Sequence, residues 1–557
     1  MAKPVPSGLA SFGAKGLTRV RMLQMLKATG VIAFATLISR VLGLVREMVY
    51  ARFMGNGWVA SAFLLAFQIP NLFRRLLGEG ALTAAFIPQF KEKERSEGET
   101  AMWRSGNAVL SGLIVVATLV VGLAMAGVSA ALMGGDFSVK TTLMLRLLRL
   151  MFPYLLFVCL AAVFVGMLNA RGKFFIPALG SAALNLVMIA SVLWLAPRMG
   201  EGLPIQIYGL ALGVLGAGVA QAAFQVPALW REGWRFRWVN PTRDATVAEV
   251  VRRMIPTTIG VAAFQVNVMV TQGFAFSLGE SIVASFQYAV RLMELPQGLF
   301  GASMATYLLP TLSGLAAEKR YEDYRTALLE GLSQLVFINL LAAALLVGLA
   351  EPIVRLLFEG GLFHAGATQS VAQALVFLAP GLVAFSGTSV LARAFYAVGD
   401  TRVPMQISLF CLGANLVLSI LFALPLKASG LALANTLTST VNLLLLGYAL
   451  RRKFPRLDFR PLLREGGKMA IVAVGVLGLV WGVARAWMGV FGEAGIVERI
   501  GAVLVPSLVG AGSYGLCLWG WKVPACRRFG DAVLGKVRRR SKVKGLGRGN
   551  AGIKGKL

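Results

Sequence analysis

The residues of this chain that could do chemistry are charged side chains set inside long apolar stretches. Arginine at the centre of a membrane helix costs at least about 2.5–3.5 kcal/mol on insertion scales, so such a residue predicts a functional site. Three stretches carry them: ISRVLGLVRE at 38–47, FQIPNLFRRLLGEG at 67–80 and YAVRLMELP at 288–296. The candidate side chains are Ser39, Arg40, Arg46, Glu47, Asn71, Arg74, Arg75, Glu79, Arg291 and Glu294.

Arginine is in excess in these stretches, and this excess favours an anionic ligand. Five arginines stand against three glutamates, whereas charges that only held helices together would be expected to balance. Guanidinium groups from several helices suit a phosphate or pyrophosphate, since the planar fork binds it bidentately and keeps its charge. A purely structural role explains Arg40, Arg74 and Arg291 least well, and these three are the strongest candidates for contact with the anion. The pairs Arg75 with Glu79 and Arg291 with Glu294 have the spacing of structural ion pairs, and that alternative stays open.

The sequence shows no other site chemistry. It has no Walker motif and no Ser/His/Asp set, and four scattered cysteines with a single histidine, His364, predict neither a disulfide framework nor a metal site. We therefore expect no enzyme activity. Seven uncharged polar residues inside apolar stretches are predicted to join helices by hydrogen bonds: Asn185, Asn267, Gln272, Asn415, Asn435, Thr436 and Asn442.

The elements that must position these residues are membrane helices. Of 557 residues 57% are hydrophobic and 14% are charged, whereas globular chains are about 45–50% apolar and about a quarter charged. This composition excludes a soluble enzyme and predicts an all-α polytopic membrane protein, since each span needs about 20 apolar residues. The fourteen predicted helices are 26–53, 59–90, 103–134, 141–170, 175–197, 206–230, 247–278, 281–315, 323–350, 366–398, 403–425, 428–451, 464–488 and 498–521, with kinks expected at Pro70, Pro153 and Pro296.

The basic residues predict the orientation. Twenty lysines and arginines fall in alternate loops and four in the others, so the richer set is predicted to be cytoplasmic, with both termini on that side. The C-terminal tail RRRSKVKGLGRGNAGIKGK is expected to attract anionic membrane lipids rather than nucleic acid.

An internal repeat is visible. ASAFLLAFQIP and GALTAAFIP, within 60–88, are echoed by VASFQYAVRLMELP and GASMATYLLP, within 283–310. We expect two six-helix lobes related by a pseudo-two-fold axis along the membrane normal, plus two C-terminal helices. The predicted parts are a basic arm (1–25), the N-lobe (26–230), a cytoplasmic linker (231–246), the C-lobe (247–451), helices thirteen and fourteen (452–521) and a basic tail (522–557).

Four segments carry a resemblance to a known family. SRVLGLVRE, FQIPNLFRRLLGEGALTAAFIP, YAVRLMELPQGLFGASMATYLLP and RAFYAVGDTRVP, in this order, closely resemble the MurJ/MviN lipid II flippases of the MOP exporter superfamily. The resemblance implies movement of lipid II, an undecaprenyl-pyrophosphate-linked peptidoglycan precursor, from the cytoplasmic to the periplasmic leaflet of the bacterial inner membrane for cell wall biosynthesis. It implies that Arg40, Arg46, Arg74 and Arg291 contact the substrate in a cavity, and that helices 452–521 form a groove for the polyprenyl tail.

Three positions depart from the family pattern. Val290 and Ser61 stand where members often have an acid, and Thr271 stands where some members have a sodium-binding aspartate. This argues against sodium coupling, so we expect no cofactor and a membrane potential as the driving force. Lipid II and membrane lipids are the expected partners, with cell-wall synthesis proteins as further candidates.

Other functions stay open at this point. One is a flippase for another polyprenyl-linked oligosaccharide. A cation or drug exporter would want an acidic cavity, a membrane glycosyltransferase would want acids or histidine in an outer loop, and a scaffold would have no reason for excess buried arginine.

Overall fold

The computed structural model describes Ala35, residues 37–77 and residues 81–531. They form helices, with no strand beyond an isolated bridge between Gly360 and Phe363. The expectation of an all-α polytopic protein is confirmed. Glu79, the basic arm, most of the basic tail and the side chain of Arg75 lie outside the described residues.

The chain divides into two compact units, Met1–Met269 and Val270–Leu557. The division falls inside α10, beyond the predicted linker 231–246. Helices of the first unit are α1 (37–54), α2 (Trp58–Leu77), α3 (Ala81–Glu97), α4 (Glu99–Gly134), α5 (Val139–Met151), α6 (Tyr154–Ala170), α7 (Phe175–Ala190), α8 (Leu203–Ala223), α9 (Val226–Arg231) and the start of α10 (Ala245–Leu278).

The second unit contains the end of α10 and nine further helices. They are α11 (Ile282–Pro296), α12 (Ala302–Ala317), α13 (Tyr321–Gly348), α14 (Ala350–Phe358), α15 (Ala365–Leu378), α16 (Leu382–Ala397), α17 (Arg402–Lys453), α18 (Arg460–Phe491) and α19 (Ile496–Gly520). Helix α17 changes direction at Lys427, where φ is 51° and ψ is −124°. Its two halves therefore correspond to two predicted spans.

Each of the fourteen predicted segments overlaps helix in the described part of the chain. By length and hydropathy, nine helices there could cross a membrane, or ten if the bent α5 and α6 pair is one span. That pair bends by 42° next to Pro153, which confirms one predicted kink. A π-helical turn at Gln297–Gly301 follows Pro296. Helix α14 lies largely between the predicted helices 323–350 and 366–398, in a stretch where no helix is predicted.

The helices pack closely where small residues face one another. A Cβ on Gly213 of α8 would lie 2.1 Å from the Oγ atom of Ser191, directly after α7, so only glycine allows this approach. In α17 a Cβ on Gly430 would lie 2.0 Å from the carbonyl oxygen of Phe422, across the bend at Lys427. Small residues are the usual means of close approach between membrane helices, since lipid supplies no hydrophobic drive for helix association.

The two units repeat the same internal packing. In the first, α2 packs on α5, and α3 packs on α4 and α6; in the second, α11 packs on α15, and α12 packs on α13 and α16. A glycine with φ 75° stands two residues after the end of α6 and of α16, namely Gly172 and Gly399. The residue after each glycine forms a salt bridge, Lys173 with Glu232 at 3.0 Å and Asp400 with Lys453 at 2.6 Å. The residue after the glycine is thus the basic partner in the first unit and the acidic partner in the second.

The predicted linker is held along α4. The Nδ2 atom of Asn107 donates to the carbonyl oxygen of Arg235 at 2.9 Å, and its Oδ1 atom accepts from the indole of Trp234 at 2.8 Å. One turn further on, the hydroxyl of Ser111 accepts from the backbone N–H of Val239. The linker is therefore part of the first unit.

A cluster of charges around Arg171 joins helix ends in the first unit. Its guanidinium contacts Glu94 of α3 at 2.6 Å, Glu99 of α4 at 3.2 Å and Glu232, after α9, at 3.3 Å. The Lys91 ammonium and the Arg171 guanidinium hold the pKa of Glu94 below its usual range. Lys173 and Arg171 act in the same way on the pKa of Glu232.

Replacing Arg171 by alanine is expected to destabilise the first unit by about 1–2 kcal/mol, because three carboxylates then lose a shared partner in a site about a quarter exposed. The contribution is present above the ordinary glutamate pKa, about 4.5, and is lost as the pH falls through the lowered pKa values. Melting of the purified protein at about pH 7 and about pH 3.5 measures this.

The control is Arg198→Ala, since Arg198 is exposed and its one contact in the described chain is with the carbonyl oxygen of Trp194. The difference in melting temperature between wild type and Arg171→Ala should shrink at the lower pH. A difference that is equal at both pH values would contradict the role of the glutamates.

Candidate functional site

Arg46 of α1 is held between two helices of the first unit. Its Nη1 atom donates to the Oδ1 atom of Asn185 on α7 at 3.0 Å, and its Nη2 atom pairs with the Oε1 atom of Glu47 at 2.5 Å. The guanidinium also lies 5.7 Å from the ring centre of Tyr50. Asn185 in turn donates to the backbone carbonyl of Ser39 at 3.2 Å. One amide of α7 therefore binds two turns of α1 at once.

The surroundings of Arg46 compensate for much of the cost of burying its charge. The side chain is 15% exposed and Glu47 is 7% exposed as a residue, so both charged groups are largely removed from solvent. A buried charge is tolerated when an opposite charge and hydrogen bonds replace water. The Nε atom of Arg46 is buried and has no hydrogen-bond partner among described atoms. The guanidinium is thus fixed in direction but not saturated.

Arg40 differs from Arg46 in exposure and in contacts. It lies on the same helix, its side chain is exposed, and it forms no ion pair or hydrogen bond with the described residues. One helix therefore carries an arginine fixed by protein partners and another that is accessible to a ligand.

Helix α2 carries the next pair of predicted residues. The Nε atom of Arg74 donates to the Oδ1 atom of Asn71 at 2.7 Å, one turn earlier, and both residues are half-buried. Nε is the inner nitrogen of the guanidinium, so this bond orients the two terminal nitrogens. The predicted ion pair of Arg75 with Glu79 falls outside the described residues and stays a prediction.

In the second unit, Arg291 of α11 pairs with Glu294 at 2.8 Å, with the two side chains 36% and 45% exposed. The ion-pair alternative for these two residues is therefore confirmed, and the exposure leaves both groups accessible to a ligand.

Other polar contacts of the second unit join helices: Gln287 donates to Gln272 at 2.8 Å, and Arg393 of α16 donates to Thr306 of α12 at 3.1 Å.

The structure thus brings the predicted residues together in three small groups. The first contains Ser39, Arg46 and Glu47, the second Asn71 and Arg74, and the third Arg291 and Glu294. Arg46 is oriented by an amide and a carboxylate, Arg74 by the amide of Asn71 and Arg291 by the carboxylate of Glu294. Such an arrangement can bind an anion and release it. The convergence of Arg40, Arg74 and Arg291 on one anion stays a prediction.

Thr271, which stands where some family members bind sodium, is buried, and its hydroxyl has no hydrogen-bond partner among described atoms. Within the described ranges, histidine, cysteine, aspartate and glutamate form no group of three that could hold a metal ion.

Sequence reasoning did not identify Asn185 as the partner of Arg46. An asparagine in an apolar helix needs a hydrogen-bond partner, so the sequence predicts a bond from Asn185 to another helix but does not say which residue accepts or donates it. That interpretation is correct in kind for Asn185, and also for Asn415, which donates to Asn435 at 3.2 Å. Thr436 donates to the carbonyl of Phe377 at 2.8 Å, close to the break between α15 and α16.

Comparisons with known proteins agree on one family. The family model described as "Lipid II flippase MurJ" matches residues 50–498. The "Probable lipid II flippase MurJ" of Vibrio cholerae is 33% identical over 436 residues, 76% of this chain and 82% of the relative. The "Lipid II flippase MurJ" of Burkholderia cenocepacia is 33% identical over 441 residues, 77% of this chain and 84% of the relative.

Solved structures share the fold. A structure described as lipid II flippase MurJ in an inward closed conformation matches with a TM-score of 0.71 and 22% identity, over 87% of this chain and 99% of that chain. An inward-facing MATE multidrug transporter of the MOP superfamily matches with a TM-score of 0.63 and 16% identity, over 74% and 94%. This chain is thus a multi-pass membrane protein of the same architecture.

Asn185→Ala removes the acceptor of Arg46 and the donor to Ser39, so we expect a loss of about 1–3 kcal/mol in stability. Asn185→Asp keeps an acceptor for Arg46 and should lose less. Thermal melting of the purified protein measures both. The matched control is Asn442→Ala, because the side-chain oxygen of Asn442 is buried without a hydrogen-bond partner in the described chain. Equal losses for Asn185→Ala and Asn442→Ala would show that Asn185 has no special role.

Proposed function

Because this chain belongs to the lipid II flippase MurJ family, we propose that it carries lipid II from the cytoplasmic to the periplasmic leaflet of the bacterial inner membrane. The observation that carries this proposal is the family match over residues 50–498, together with relatives 33% identical over three quarters of the chain. The protein is a transporter and not an enzyme.

The arginines are proposed to hold the pyrophosphate of the substrate. Support comes from the exposed Arg40 on α1 and from Arg74, whose Nε bond to Asn71 orients its terminal nitrogens. Arg46 and Arg291 are proposed to complete the contact. Guanidinium groups bind a pyrophosphate through paired, charge-assisted hydrogen bonds and cannot lose their charge by deprotonation.

Release of the head group requires that binding is not too strong. Arg46 is already paired with Glu47, and Arg291 with Glu294, so these carboxylates compete with the pyrophosphate for the same guanidinium groups. A substrate must displace or share these partners, which lowers its net gain on binding. We propose that this competition lets the head group leave after the transporter opens to the other side by alternating access.

We propose the membrane potential as the driving force. A potential that is negative inside favours outward movement of an anionic head group by about 2.3 kcal/mol per charge at about 100 mV. It also favours the inward return of an empty, net positive site. Translocation in proteoliposomes should therefore accelerate when an inside-negative potential is imposed, and a rate independent of potential would contradict the proposal.

The orientation is also proposed. The bias of twenty basic residues against four predicts cytoplasmic termini. A green fluorescent protein fused after Leu557 should therefore fluoresce, and a fusion exported unfolded to the periplasm would not.

Contacts with cell-wall synthesis proteins stay a prediction from the family. A flippase for another polyprenyl-linked oligosaccharide is less favoured, because the family model and both relatives named above are described as lipid II flippases.

Removing one substrate arginine should abolish growth of cells depleted of their own lipid II flippase. Arg40→Ala, Arg74→Ala and Arg291→Ala each remove a charge-assisted contact worth about 1.5–3 kcal/mol, which is about 10- to 150-fold in binding. Complementation measures this, with membrane insertion checked by immunoblot.

The control is Arg198→Ala, which removes an exposed arginine outside the three groups and should complement fully. If Arg74→Ala and Arg291→Ala both complement as well as the control does, the arginines do not capture the substrate.

A further inference from the structure

A pocket of about 330 Å³ lies within the second unit, apart from the arginine groups described above. Its walls are the end of α13, the start of α14, one face of α15 from its second turn to its end, and the last turns of α18. The volume is at the lower end of the range for small-molecule sites, which is about 300–1,000 Å³. It can therefore admit part of a ligand of that size.

The pocket wall contains a cation without an acidic partner. The guanidinium of Arg485 lies 4.3 Å from the ring centre of Trp481, four residues earlier on the same face of α18. Arg485 forms no ion pair or hydrogen bond with the described residues. The acid in the wall, Glu351, pairs at 2.6 Å with Arg355, which also contacts Glu359 and Glu493. The positive charge of Arg485 is thus available to an anion.

The rest of the lining is divided between polar and apolar groups. Gln369 and Gln373 present amides from one face of α15, and Val376 and Phe377, on the next turn, are partly exposed apolar side chains. A ligand that satisfies both parts has an anionic, hydrogen-bonding head and an apolar chain. Soluble anions satisfy only the first part.

The depth of the pocket suits the head-group region of a bilayer. With a rise of about 1.5 Å per residue, Arg485 lies about 9 Å from the end of α18, and Gln373 lies about 12 Å from the start of α15. Gly348 is the last residue of α13. These helices belong to candidate membrane spans, and tryptophan with arginine is typical of the membrane interface. The segment between α13 and α15 is predicted to be periplasmic, which assigns the pocket to the outer leaflet.

We propose that this pocket binds an anionic phospholipid of the outer leaflet, with the phosphate on Arg485 and the amides of Gln369 and Gln373. The acyl chain lies against Val376 and Phe377. Arg485 and Trp481 lie on the helices 452–521 that the resemblance assigns to the polyprenyl tail, but none of the residues proposed to bind the pyrophosphate takes part, so the site does not depend on the proposed head-group contacts. A lipid bound here would join α15 to α18 beside the ion pairs of Arg355.

Native mass spectrometry of the full-length protein in detergent, titrated with phosphatidylglycerol or phosphatidylcholine, tests the proposal. The wild type should retain phosphatidylglycerol in preference. Arg485→Gln should weaken this binding by about tenfold, which corresponds to the loss of one charge-assisted contact. Val376→Trp, which fills the apolar part and keeps the charge, should weaken it as well.

Arg198→Gln is the matched control, since it removes an exposed arginine on the side also predicted to be periplasmic, far from the pocket in sequence. The proposal is overturned if Arg485→Gln, eluting as a folded monodisperse protein, binds phosphatidylglycerol like the wild type, or if Arg198→Gln loses as much. Competition by soluble glycerol phosphate at the lipid concentrations used would contradict a lipid ligand and indicate a simple phosphate site.

Discussion

The structure depends on how a guanidinium is accommodated in an apolar helix. An arginine in an apolar helix loses the water that hydrates its charge, and protein groups must supply hydrogen bonds and opposite charge in place of that water. Such residues are therefore rare. For Arg46 these groups are Glu47 and Asn185, a residue 139 positions away. The same amide holds the carbonyl of Ser39, so the price of burying one charge also fixes α1 against α7. The same contacts at this position thus stabilise the charge of Arg46, pack α1 on α7 and orient the guanidinium.

The same physics acts at the helix ends, with more carboxylates and more water. Arg171 joins α3, α4 and α6 to the linker, and Arg355 of α14 pairs with Glu351, Glu359 and Glu493, which joins α14 to the turn after α18. These clusters lie outside the predicted apolar spans, where ion pairs cost less to form. The helices that they join are not those that carry Arg40, Arg46, Arg74 and Arg291.

The sequence predicted the fold class and the positions of the helices, and it left open the ion pair of Arg291 with Glu294 that the structure shows, because hydropathy and i, i+3 spacing are local properties. The partner of Arg46 could not be predicted, since the pattern of one helix does not say which helix lies opposite. The helical bend at Lys427 was predicted as a break between spans, although the backbone stays helical on both sides. Helix α14 was not predicted, because its 9 residues are too short for a membrane span. The repeat was visible in two motifs, but the exchanged salt bridges after Gly172 and Gly399 required the fold.

The central claim is that the arginines recognise the pyrophosphate of the substrate. The most direct test compares the wild type with an Arg40→Gln, Arg74→Gln double variant in proteoliposomes, measuring translocation of lipid II and of an otherwise identical lipid with a single phosphate. The account predicts that the wild type prefers the pyrophosphate lipid and that the double variant loses both the rate and the preference. A double variant that still moves lipid II at the wild-type rate, with the same preference, would contradict it.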